Sequence, residues 1–324
     1  MFLKKNNKDS DESFLDSILI SLNNSFELRT EKTKDEINHL INKLTEFLVG
    51  KPFSARGYYT IGLLFNFLGN FNDAVSDFLK VISIDSNFYD AYSKLGYAYE
   101  KIGNYKKALK FYFKAIKFKD YKNKSEVYNN IGEIYCNILK KYKKALKYHK
   151  KAIKIDPECS RCYFNAGITF FNQRNYKEAI KYFSIAIDKS IIDKDPKSYL
   201  FYFYRALSFE YLGNYKKSLK DFQKTIEIDP NFSEAYYEIG KLFCGFGQFS
   251  ISIDFFTRAI KIDPNYIYAY VARINAYNEI GESEKAQKDK DIVKNLLLRE
   301  FDPELTELLL EGKLITDQLN NYLR

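Results

Sequence analysis

From about residue 55 to residue 294 the apolar positions of the chain recur in a two-part pattern. The first part carries one aromatic residue and another seven positions later: Tyr58 and Phe65, Tyr92 and Tyr99, Tyr128 and Tyr135, Tyr163 and Phe170, Tyr202 and Phe209, Tyr236 and Phe243, Tyr270 and Tyr277. That spacing sets both on one face of an α-helix, two turns apart. A turn follows, usually with glycine: Gly69, Gly103, Gly213, Gly247 and Gly281. The second part spaces small residues seven apart, as in Ala108 and Ala115, Ala145 and Ala152, and Ala179 and Ala186. An aromatic usually sits between them: Phe78, Tyr112, Phe183, Phe222 or Phe256. Small residues let two helix backbones approach closely, and the aromatic fills the space beside the contact. Proline cannot continue a helix, so Asp156-Pro157, Asp229-Pro230 and Asp263-Pro264 close three of the copies.

The same frame returns at Gly62, Gly96, Gly132, Gly167, Ala206, Gly240 and Ile274, in steps of 34, 36, 35, 39, 34 and 34 residues. Seven repeats are therefore expected, over about 55–88, 89–124, 125–159, 160–198, 199–232, 233–266 and 267–294. In order, the pattern runs aromatic, Leu-Gly, Tyr, Gly, Ala, aromatic, Ala, Pro, and it resembles the tetratricopeptide repeat (TPR), an antiparallel helix pair of about 34 residues. Tyr92-Leu95-Gly96-Tyr99-Gly103-Ala108-Tyr112-Ala115 fits nearly throughout and lacks only the closing proline. The departures are local. Tyrosine stands where the family has tryptophan, repeat three carries one extra residue near Lys140 and Lys141, and repeat four is followed by a longer connection, Lys189 to Lys197. Arg205 and Arg273 occupy places where leucine is expected, and Ile274 replaces the glycine.

No such pair can bury its apolar face alone, so each leans on its neighbours. The expected fold is all-α, an α-α superhelix (solenoid) of about seven TPR helix pairs with helical caps at both ends. The N-terminal cap, 1–54, should hold a short helix over 11–22 and a second one opened by the capping box Thr33-Lys34-Asp35-Glu36. Ile37, Leu40, Ile41, Leu44, Phe47 and Leu48 follow at helical spacing, and Gly50 and Pro52 stop the helix. Ala286 to Leu298 should be the last second helix. The C-terminal cap, 295–324, should start a further helix at Asp302-Pro303 and end with Leu314 to Leu323.

Composition narrows the function. Hydrophobic residues make up 46% of the chain and charged ones 29%, too evenly mixed for a membrane span and too apolar for a disordered chain. Asp9, Asp11, Glu12 and Asp16 break up the N-terminal stretch that begins like a signal peptide, so the expectation is a cytoplasmic protein with reduced thiols. Two histidines, no tryptophan and no phosphate-cradling glycine loop, GxSxG or HExxH argue for a non-enzymatic protein without a cofactor. Cys159-Ser160-Arg161-Cys162 has zinc-ligand spacing, but no second CxxC exists, so free thiols and no metal are expected. The 28 Tyr and 28 Phe, beside abundant Lys, Asn and Ile, match an AT-rich coding bias.

The net charge of +9 brings nucleic acid into view. Its densest cluster, Lys140-Lys141-Lys143-Lys144-Lys147-Lys150-Lys151, lies mainly on a second helix, which the resemblance turns outward; a solvated face is expected. The alternative function is a basic repeat protein contacting nucleic acid or an acidic partner through this convex face.

The resemblance implies a concave groove lined by first helices that binds peptide segments of partner proteins. Its groove-facing places in repeats two and three are polar. In repeats four and five they are Arg161, Phe164, Asn165, Ile168, Phe171 and Asn172, then Leu200, Phe203, Tyr204, Leu207, Glu210 and Tyr211, eight of the twelve being large apolar or aromatic. A contiguous apolar patch with a polar rim marks an interaction site. The expected function is thus a scaffold or adaptor gripping an apolar or helical segment there, with Arg161, Asn165 and Asn172 fixing polar groups. The competing expectation is that the 39-residue step shifts the stacking and packs these side chains internally, or that an end of the chain fills the groove. The carboxylate clamp of some family members finds only Asn130 and Arg161 suitable here, too few charge-assisted contacts for it.

Overall fold

The computed structural model describes residues 31–193 and 195–300, and every regular element among them is helical. Two compact units divide after Pro157. The N-terminal unit holds α1 (Glu31–Gly50), α2 (Ala55–Leu68), α3 (Phe71–Ile84), α4 (Tyr89–Lys101), α5 (Tyr105–Ala115), α6 (Lys124–Glu133) and α7 (Tyr142–Ile155). The C-terminal unit holds α8 (Ser160–Asn172), α9 (Tyr176–Asp193), α10 (Ser198–Tyr211), α11 (Tyr215–Ile228), α12 (Ser233–Gly245), α13 (Phe249–Ile262), α14 (Ile267–Glu279) and α15 (Ser283–Glu300). From α2 onward consecutive helices pair as hairpins, and within each unit each hairpin packs on the next. Each unit is a run of α-α superhelix.

The turns explain the hairpins. After α2, Gly69 takes φ 80°, and the Asn70 amide donates to the Phe65 carbonyl at 2.9 Å. A left-handed residue past a helix end lets the chain reverse while satisfying terminal carbonyls. Gly103, Gly213, Gly247 and Gly281 do the same. Repeats three and four use Lys140 at φ 50° and Arg174 at φ 58° instead.

Inside each hairpin the aromatic of the second helix is sealed against the first. Phe78, Tyr112, Phe183, Phe222 and Phe256 are all fully buried. A Cβ on Gly96 would sit 2.6 Å from the Tyr112 ring, which is why glycine holds that place. Repeat seven solves the packing differently. Its aromatic place falls on exposed Lys290, and buried Ile274 fills the gap with Ala286 and Val293.

Three local expectations are corrected. The extra residue of repeat three is absorbed within its first helix, not in the turn: Ile134–Ile138 form a π-helical segment, and the Leu139 amide donates to the Ile134 carbonyl at 3.1 Å. One residue inserted into an α-helix is accommodated by such an i→i+5 turn. The long connection after repeat four is mostly helix, since α9 runs to Asp193. At the N-terminal end α1 starts at Glu31, which places Thr33 inside the first turn and not at the cap. The apolar face of α1 is as expected, with Ile37, Ile41, Leu44 and Leu48 buried against Ile61 and Leu64. Residues 295–300 prolong α15. The helix expected over 11–22 and those after Asp302 lie outside the described residues. Among the described residues no helix is long and apolar enough to cross a membrane.

Candidate functional site

The residues singled out in repeats four and five lie on α8 and α10, neighbouring first helices of the C-terminal unit. Their rings form a continuous row. Tyr204 of α10 stands edge-on to two rings of α8, with centroids 5.7 Å from Phe164 and 5.7 Å from Phe171. Phe171 meets Tyr211 at 5.8 Å, and Tyr211 stacks on Tyr176 of α9 at 4.6 Å with planes 5° apart. At the other end Phe164 lies 4.7 Å from Phe201. Edge-to-face and offset contacts of this kind add stability beyond area burial, about 0.5–1.5 kcal/mol per pair.

The row is accessible in a graded way. Tyr211 is 63% exposed, while Phe164, Ile168, Phe171, Leu200, Tyr204 and Leu207 are half-buried. Phe203 departs from the expected surface. It is 8% exposed, with Phe222 at 5.6 Å and Phe232 at 4.9 Å, and so belongs to the core shared with repeat six. The helical position is the one anticipated, but the bulky Phe232, the N-cap residue of α12, covers it.

The polar members lie at the rim. Arg161 is exposed at the start of α8, and its guanidinium is 3.7 Å from the Asp195 carboxylate. Asn165 is half-buried and Asn172 exposed. Glu210, one residue before Tyr211, is half-buried. Its Oε2 is buried and accepts no hydrogen bond among the described residues. Burial, with neighbouring Glu238, pushes its carboxyl up to about 7. Glu238 is paired with Lys241 at 2.5 Å. A solvent-facing glutamate and a half-buried one look identical in sequence.

The cysteines correct an expectation. Cys159 and Cys162 are joined by a disulfide, where free thiols were expected; Cys136 and Cys244 form no disulfide. The first turn of α8 brings the two sulfurs together because positions three apart share a helix face. No group of three metal-ligating side chains occurs among the described residues. In the N-terminal unit, Lys143, Lys144, Lys147, Lys150, Lys151 and Lys154 of α7 are all exposed; Lys144 also lies 5.6 Å from the Tyr135 ring centre and Lys151 5.1 Å from that of Tyr128.

Stacked helix hairpins of this kind define a helical-repeat protein. Models of the tetratricopeptide repeat match residues 62–103, 89–120, 125–159, 160–188, 199–232 and 233–266, and the chain belongs to that family. TPR proteins are generally non-catalytic scaffolds that bind other proteins. No curated protein sequence matches the chain. Among solved structures it is similar to a chain of the APC/C hetero-tetramer Cut9-Hcn1, with 16% identity and a TM-score of 0.62 over 75% of this chain and 46% of that one. This chain thus spans less than half the length of that relative. It is also similar to PilW, a widely conserved type IV pilus biogenesis factor, with 19% identity and a TM-score of 0.58 over 68% of this chain and 99% of PilW. At these identities the likeness is one of fold.

Proposed function

We propose that repeats four and five bind an apolar or helical segment of a partner protein along the face made by α8 and α10, and that the chain acts as a cytoplasmic, non-enzymatic adaptor or scaffold. The observation that supports this reading is Tyr211, a large ring left 63% exposed at the end of an otherwise interlocked aromatic row. Mutual packing holds the rings in place before a ligand arrives, which reduces the ordering cost of docking. Phe164, Ile168, Phe171, Leu200, Tyr204 and Leu207 form the half-buried floor. Arg161, Asn165 and Asn172 supply polar contacts at the rim, and Phe203 acts from beneath by supporting Tyr204.

The test uses exposed positions, so that lost binding is not lost folding. Immobilised full-length chain and its Tyr211→Ala/Asn172→Ala variant are compared by quantitative mass spectrometry of the proteins each retains, after circular dichroism has shown equal helix content. Proteins enriched by the wild type should disappear from the variant. Equal retention removes the reading.

A second reading, contact of the α7 lysines with nucleic acid or an acidic partner, is favoured by the exposed lysines Lys143, Lys144, Lys147, Lys150, Lys151 and Lys154. Binding of single-stranded RNA that persists at physiological salt and is lost in Lys143→Glu/Lys147→Glu would favour it over the groove.

A further inference from the structure

The cysteine pair at the start of α8 is an addition that the repeat does not require. In this frame Cys159 and Cys162 correspond to Phe88 and Ala91 at the entry to repeat two, Phe232 and Ala235 at the entry to repeat six, and Tyr266 and Ala269 at the entry to repeat seven. In those repeats Phe88, Phe232 and Tyr266 cap the first helix as Cys159 caps α8, and the alanines are fully buried, so the same turn forms with no covalent bond. The bond also closes only a three-residue separation, which constrains an unfolded chain far less than a long loop would. Structural need therefore does not account for the pair.

Its surroundings suit exchange chemistry. Cys159 is half-buried and reachable, whereas Cys162 is 1% exposed. The Cys159 sulfur is the N-cap acceptor of α8 and receives the Cys162 amide at 3.1 Å. Amides at a helix N-terminus favour negative charge on such an acceptor, the condition for a thiolate nucleophile or leaving group. Arg161, between the two cysteines, carries a positive charge that it shares with Asp195 at 3.7 Å.

We infer that Cys159 and Cys162 form a reversible dithiol–disulfide site that exchanges with low-molecular-weight thiols. A thiolate attacks the reachable Cys159 sulfur. The protein S–S bond breaks, Cys162 leaves as a thiolate and takes up a proton, and a mixed disulfide remains on Cys159. A second thiolate attacks the small-molecule sulfur of that mixed disulfide and releases Cys159. The sum is one protein disulfide and two small thiols giving two protein thiols and one small disulfide. The reverse reaction, driven by the small disulfide, closes the pair. This site stands apart from the groove reading, although the turn it closes carries Arg161.

The experiment equilibrates the full-length chain with reduced and oxidised glutathione over a wide range of ratios, quenches in acid, alkylates, and locates blocked cysteines by peptide mass spectrometry. Cys159 and Cys162 should pass together from bonded to alkylated within that range, with Cys136 and Cys244 alkylated after denaturation at every ratio. In Cys162→Ser oxidised glutathione should leave a mixed disulfide on Cys159, and in Cys159→Ser little or none on Cys162. Circular dichroism of wild type in both states should show the same helix content. A pair alkylated at every ratio, or one that stays bonded in excess reduced glutathione, overturns the inference.

Discussion

Arg205 and Asp221 join the two helices of repeat five by a two-pronged ion pair, Nε to Oδ2 at 2.7 Å and Nη2 to Oδ1 at 2.8 Å. The third guanidinium nitrogen donates to Ser184 Oγ on the preceding repeat's α9 at 3.0 Å, so one side chain ties three helices. Repeat seven repeats the device, with Arg273 on Asp289 at 2.8 and 2.7 Å and on Thr257 at 2.8 Å. The arginines that break the leucine pattern therefore answer an aspartate placed 16 residues later.

Asp221 is only 5% exposed. Arg205→Leu, which restores the family residue, should cost about 3–5 kcal/mol because it strands a buried carboxylate. Arg205→Leu/Asp221→Leu should regain most of that loss, since apolar replacement of a whole buried pair is often neutral or better. Urea unfolding followed by circular dichroism checks both. A single variant within about 0.5 kcal/mol of wild type would show that the pair contributes nothing, the usual result for an exposed one.

Repeat one shows what happens without the arginine. Asp77 holds the place of Asp221, but Ile61 stands where Arg205 would be, and the nearest cation is Lys80 at 3.6 Å. Burial pushes the Asp77 carboxyl up to about 6 from 3.8. A raised acid favours the folded state while protonated, so its contribution is present below pH 3.8 and is lost as pH climbs to about 6. Asp77→Asn should therefore stabilise the chain at pH 7, by roughly 1–3 kcal/mol, and have little effect at pH 4. Thermal melts at the two pH values test the difference.

His149 titrates in the opposite sense. It fills the buried aromatic place of repeat three, and neither ring nitrogen has a hydrogen-bond partner among the described residues. Burial lowers its pKa from 6.5 to about 3, which keeps the folded ring neutral. The unfolded chain then binds the extra proton between those values, and stability falls as pH drops from 6.5 toward 3. His149→Phe should remove that acid loss, up to about 1.4 kcal/mol per pH unit, and stabilise at neutral pH by about 1–3 kcal/mol. An unchanged slope of stability between pH 6 and pH 4 would assign the acid sensitivity elsewhere.

The repeat was readable because spacing alone encodes it. Glycine and the buried aromatic must face each other, so Gly96 and Tyr112 announce a hairpin without knowledge of the rest. Residues that depart from the pattern were visible but their resolution was not. An extra residue near Lys140 has several possible places to go, and only the backbone shows that residues 134–138 absorb it as a π-turn. Arg205 finds its partner in a second helix across the hairpin, a pairing no local rule reveals. The rings of repeats four and five were assigned to a face by register, yet register does not say how much of each ring its neighbours cover. Phe203 belongs to the core because Phe232, at the N-cap of α12, packs on it.

The turns offer the last prediction. Lys140 and Arg174 adopt the left-handed conformation that glycine supplies elsewhere, at φ 50° and 58°. Both are exposed, so their side chains contribute little packing to offset that geometry. A residue with a Cβ loses about 1–2 kcal/mol in this region relative to the right-handed one, while glycine loses more entropy on folding. The balance favours glycine here. Lys140→Gly and Arg174→Gly should each stabilise by about 0.5–1 kcal/mol, and Gly69→Ala at φ 80° should destabilise by about 1 kcal/mol. Lys140 and Arg174 belong to different compact units, so the two gains should add within about 0.5 kcal/mol. Urea denaturation of the two single variants and their combination measures this. Destabilisation by either glycine would mean that its turn is held by side-chain contacts and not by backbone geometry.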